Sequence, residues 1–198
     1  MKNLIVESKT DSVVRKVVRD ITNLVKSEKS DQYHLPEDIS VDFNIEYEFP
    51  QLPFSFDVIL DLKFNENTKY YLNSNLMGDD TIGIVLKINP KDMPQLLYDL
   101  ISDLNDIVAH ELEHIFQNYG YRDVNIENYP EYSQLVGKEY YKHPIEVPAQ
   151  IAGFKRQSKV TRKPIKELIK SYFEKIKDQY DLSDEDVEDI IDYLSSKI

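Results

Sequence analysis

Two of the chain's four histidines stand in the run IVAHELEHIFQNYG, residues 107–120, as His110 and His114, with Glu111 directly after the first. Residues four apart on a helix project from one face, a turn apart, so the two imidazoles come within reach of one ion. Glu111 falls between that face and the apolar stripe of the same helix. It is badly placed to join the chelate and well placed to hydrogen-bond a water on the ion. That division of labour is the reason for the spacing His-Glu-x-x-His: two imidazoles bind zinc, and the carboxylate takes a proton from the zinc-bound water. Zinc lowers the pKa of that water to about 7, within a carboxylate's reach at neutral pH. Two surface histidines on a solvated helix would spell the same letters. Against that reading stand the strong helical pattern around the motif, the alternating strands before it and a third ligand after it.

A catalytic zinc needs a third protein ligand and one open position. The chain has no Cys, so the donors must be His and carboxylates. The stretch KHPIEVPAQIAGF, residues 142–154, offers His143 and Glu146, three apart, of which one suffices. Pro144 and Pro148 flank Glu146, and proline is tolerated only in the first turn of a helix. Glu146 must therefore open its helix, or the helix must be distorted there, and His143 stays a competitor.

The combination resembles the zincin metallopeptidases with a glutamate third ligand, the gluzincins, whose second helix carries a Glu followed three residues later by a small residue. Glu146-Val147-Pro148-Ala149 matches that pattern. The likeness spans about residues 40–155, is sharpest at residues 110–114, and extends to small single-domain peptidases of bacteria and their phages. It implies a zincin-like α+β fold and a zinc metalloendopeptidase. Its one zinc ion would be held by His110, His114 and Glu146, with Glu111 as general base, and Ala149 would let the second helix come close to the first. It also implies a protein or peptide substrate laid as an extended strand against a sheet edge. The alternative is an inactive protein of the same fold that binds a partner.

Other groups are less readable. Peptide hydrolysis needs a donor for the developing oxyanion, and Tyr119, Tyr121, Tyr129, Tyr132, Tyr140 and Tyr141 are candidates. Asp103 and Asp106 share the histidine face, and Gln150 lies one turn after Glu146; each could orient a ligand. His34 reads as a surface residue.

The elements that must position these residues follow from periodicity. Val14, Val17, Val18, Ile21, Leu24 and Val25 predict a helix over about 11–28. Val41 to Phe49 and Phe54 to Phe64 alternate as strands, with a weaker one at 70–76 and a last one at 82–88. Short polar turns between them (PQLP, NENT, MGDD) predict a three- or four-stranded, mostly antiparallel meander. TIGIVLKIN, residues 81–89, is the candidate substrate edge, or else an ordinary central strand. The period then changes. Leu97, Leu100, Ile101, Leu104, Val108, Leu112 and Ile115 stripe a long helix that Gly120 ends. Helices follow from near Pro144–Pro148, over KPIKELIKSYFEKIKDQY, and over LSDEDVEDIIDYLSSKI with Ser183 as N-cap. The last run is acidic, but it lacks the glycine of a calcium loop.

A length of 198 residues suits one domain, with a core at about 40–155 and a helical part at about 160–198. A net charge of −12 argues against nucleic acid, whose affinity rests on Lys and Arg. No apolar run is long enough to span a membrane, and the first residues do not read as a secretory signal. A cytoplasmic protein is the expectation. Oligomeric state and substrate sequence are not written in these features.

Overall fold

The computed structural model describes residues 2–31, 39–49, 54–64, 70–124 and 135–198. His34, Tyr129, Tyr132 and the PQLP and NENT turns lie outside them. The described residues form an α+β structure of six helices and a four-stranded mixed sheet. Helix α1 (Lys2–Asp31) exceeds the predicted 11–28 at both ends. It is followed by strands β1 (Ile39–Glu48), β2 (Ser55–Phe64), β3 (Tyr71–Met77) and β4 (Thr81–Ile88). Then come α2 (Met93–Asn118), α3 (Lys138–Lys142), α4 (Glu146–Thr161), α5 (Ile165–Ile176) and α6 (Asp184–Ser195). No helix among the described residues is long and apolar enough to cross a membrane.

The meander expectation fails at one pairing. The strand order is β1-β2-β4-β3, with β2 and β4 parallel and the other two pairings antiparallel. Turn length predicted the β1–β2 and β3–β4 neighbours but not how the two hairpins abut. Side-chain polarity explains the order. Ile82, Ile84, Leu86 and Ile88 of β4 are almost wholly buried, whereas β3 is polar and alternates between exposed and half-buried positions. An apolar strand gains most in the interior of a sheet, and a short polar one is the safer edge. TIGIVLKIN is therefore central, and β3 is one edge of the sheet, with β1 the other.

One sheet face, the valine stripe of α1 and the apolar stripe of α2 close a first core, which includes Val14, Val17, Ile21, Val58, Leu60, Leu104, Val108 and Leu112. A second cluster joins α3 to α6 through Tyr141, Phe154, Ile169, Phe173 and Ile190. The acidic start of α6 serves a capping box: the Ser183 hydroxyl accepts from the Asp186 amide, while the Asp186 carboxylate accepts from the Ser183 amide.

The end of α2 is fixed firmly. Gly120 takes φ 69°, the Tyr121 amide donates to the Phe116 carbonyl at 2.8 Å and the Gly120 amide to Gln117 at 3.0 Å. This is the doubly bonded glycine cap, with Tyr121 edge-on to Phe116 as its apolar contact. Arg122 folds back to grip both carboxylate oxygens of Glu113.

Candidate metal centre

His110 and His114 lie in the last third of α2, and Glu146 is the first residue of α4. The proline constraint is met without distortion, because Pro148 falls in the first turn, where a missing N–H leaves no bond unmade. The preceding turn is held by the His143 carbonyl, which accepts from Glu146 at 2.9 Å and Val147 at 3.0 Å. The His143 ring also serves the turn: Nδ1 accepts from the Ile145 amide at 3.3 Å. His143 is 2% exposed and stands outside the ligand cluster.

The three donor groups converge. His110 Nε2 and His114 Nε2 are 3.1 Å apart. His114 Nε2 is 3.2 Å from Glu146 Oε1, and His110 Nε2 is 3.5 Å from Glu146 Oε2. For bonds of about 2.0–2.1 Å to zinc, the edge of a tetrahedron is roughly 3.3 Å, so these spacings fit a single small ion. Among the described residues no other group of three His or acidic side chains converges in this way. The Glu146 side chain is 1% exposed, that of His114 12% and that of His110 23%, so the donors are shielded with one side open.

Electrostatics agree with a site built for a cation. Burial pushes His110 down to about 4, against the charge of Glu146. Burial also works to lower His114, but the hydrogen bond and charge of Glu146 outweigh it and leave this imidazole raised. Burial raises Glu111, and the hydrogen bond from Ser74 opposes that rise.

The structure adds two partners that sequence reasoning missed. The Ser74 hydroxyl on edge strand β3 donates to Glu111 Oε1 at 2.7 Å, fixing that carboxylate beside the imidazoles. Gln117 donates its amide N–H to the Ile145 carbonyl at 2.9 Å, so its Oε1 is left to accept from His114 Nδ1 at 3.2 Å. That bond draws a proton to Nδ1 and leaves Nε2 as the nitrogen that can turn to a metal in place of a proton. Gln117 carried a readable signal, being three residues after His114 on the same helix face. Ser74 carried none.

Other expected partners are engaged elsewhere. Asp103 accepts from Tyr70 at 3.2 Å and Gln157 at 3.4 Å, and neither it nor Asp106 bonds to an imidazole. Gln150 donates to the Tyr141 carbonyl at 3.3 Å. Ala149 is fully buried, as close helix packing requires, but the tightest approach is at Gly153. A Cβ there would overlap Asp106 Oδ1 and stand 3.0 Å from the Asp106 carbonyl oxygen.

Two clefts meet at the centre. One, of about 710 Å³, runs past Leu72, Asn73 and Ser74. The other, of about 600 Å³, runs past Ser74, Asn75 and Leu76. Ser74, His110, Glu111, Tyr140 and Glu146 border both, so a continuous trough follows the edge of β3 across the donor cluster. Of the candidate tyrosines, Tyr119 is exposed and bonds to Asp80, Tyr121 packs on Phe116, and Tyr141 belongs to the second core. Only Tyr140 of the described ones borders both clefts.

No protein-family model, curated protein or solved structure matches the chain.

Proposed function

We propose that this protein is a zinc-dependent metallopeptidase of the zincin type. The observation that carries the reading is the convergence of His110, His114 and Glu146 at the spacing of a tetrahedral site, on the wall of a trough that Glu111 also borders. The donor set suits zinc: two imidazoles and one carboxylate, with no thiolate. When bound there, the ion would acidify a water and polarise a carbonyl oxygen.

The remaining work falls to side chains of this chain. Glu111, aligned by Ser74, takes a proton from the attacking water and later delivers it to the leaving amine. Tyr140 is the hydroxyl best placed to steady the oxyanion as the carbonyl becomes tetrahedral. The edge of β3 offers backbone groups to an extended peptide, which such an edge binds without strong sequence demand.

The test is hydrolysis of a denatured protein or a peptide pool by zinc-loaded protein. The wild type cleaves, and Glu111→Gln keeps one equivalent of zinc while losing turnover by about 10²–10⁴-fold, the usual worth of a general base. Zinc-loaded wild type that cleaves nothing, or a Glu111→Gln variant as active as wild type, removes the reading.

A further inference from the structure

The cleft beside Leu72, Asn73 and Ser74 has a charge character that the hydrolytic step does not use. Asp106 and Asp181 border it together with Glu111 and Glu146, and none of its lining side chains among the described residues is a Lys or Arg. Asp106 lies one turn before His110 on α2, and Gln150 one turn after Glu146 on α4, so both stand immediately beside the donor cluster. Asp106 has no hydrogen bond or ion pair among the described residues, and its Oδ1 occupies the space that a Cβ at Gly153 would fill. The Gln150 side-chain oxygen is buried and also lacks a hydrogen-bond partner, because the amide is committed through its nitrogen to Tyr141. Tyr140, Tyr172 and Tyr180 supply aromatic surface around these acceptors.

A buried amide oxygen without a donor, and a half-buried carboxylate without a cation beside it, are both costly unless a ligand satisfies them. A pocket with four carboxylates, an unpartnered amide oxygen and tyrosine faces, and with no Lys or Arg among its described lining residues, complements a cationic donor. An arginine fork satisfies a carboxylate and an amide oxygen together and stacks on tyrosine, while a lysine supplies its charge over a long apolar stem. We propose that this cleft receives the side chain of an arginine or lysine of the substrate, next to the scissile bond. The proposal rests on the metallopeptidase reading for its second half, and on the pocket alone for its first.

Binding separates the two. A short Ala/Gly peptide with a single Arg walked through every position is compared with the matched citrulline series, which keeps the shape and loses the charge. Affinities are measured by calorimetry on zinc-loaded Glu111→Gln protein, which holds substrate without turning it over. At one position Arg binds about tenfold tighter than citrulline or better, the size of a charge-assisted hydrogen bond. In the double variant that adds Asp106→Asn the difference falls to within about twofold, with zinc content unchanged. Equal affinity for the two series, binding of neither, or a preference that survives Asp106→Asn overturns the proposal. Wild-type cleavage of the same peptides tests the reaction separately. Arg-selective binding without cleavage keeps the pocket and removes the hydrolase. Cleavage indifferent to Arg keeps the hydrolase and removes the pocket.

Discussion

Asp106 should cost the fold stability once it is charged. Burial, and then the charge of Asp103, push its carboxyl from the ordinary 3.8 up to about 7. The folded protein therefore binds a proton that the unfolded chain releases between about pH 4 and pH 7, and stability falls as pH rises through that window. Replacement by Asn removes the effect. Asp106→Asn should be the more stable protein at pH 7.5, by on the order of 1 kcal/mol or more, with the advantage vanishing near pH 4 in urea titrations. A side chain kept against stability is what a binding role leaves behind, and a merely structural Asp106 would show the opposite sign. Gln117 acts through another group. It joins the His114 ring to the Ile145 carbonyl, hence one candidate donor to the residue before another. Gln117→Leu should keep the fold and weaken zinc by about 10–100-fold in competition with a chelating dye. Unchanged zinc affinity would show that His114 needs no orienting partner. The sequence made His110, Glu111 and His114 legible because helical spacing alone puts them together. Glu146 was legible only beside His143; the structure groups Glu146 with the two imidazoles and bonds the His143 ring to the Ile145 amide. Ser74 was illegible, since its use depends on which strand lies at the edge.

At the scale of elements, the contact that matters most is α2 against α4. The Arg156 side chain spans it to Asn105 at 2.8 Å, and Gln157 reaches Ser102 at 3.1 Å. Gly153 sets how near the helices come. A methyl there meets the Asp106 carbonyl oxygen, which belongs to the helix backbone and cannot swing aside as a side chain would. Gly153→Ala should cost about 1–3 kcal/mol of stability by chemical denaturation and weaken zinc binding as well, because Glu146 moves with α4. A variant with wild-type stability and wild-type zinc affinity would mean that the approach has slack. Periodicity predicted most of the helices and strands, since each pattern is local; it missed the two ends of α1 and the short helix α3. It could not give strand order, because alternation says which face is buried and nothing about which strand lies alongside. The parallel β2–β4 pairing and the edge position of β3 both follow from the competition among strands for the interior.

For the whole molecule, the donor cluster joins two cores. His110 and His114 ride on the helix that closes the sheet core, and Glu146 opens the helix that enters the C-terminal cluster. An ion held by both would tie them together, and the trough along β3 runs past the donor cluster. The chain carries a net charge of −12, and in the larger of the two clefts its carboxylates are the groups proposed to attract a cationic side chain. All of this depends on one ion sitting between those three side chains. X-ray absorption at the zinc edge, on protein loaded with one equivalent, observes it directly. The expected spectrum has two imidazoles and light oxygen donors in a four-coordinate shell at about 2.0–2.1 Å, with an oxygen contribution that changes in Glu146→Ala. A shell with one imidazole or none, or one indifferent to Glu146, would contradict the account.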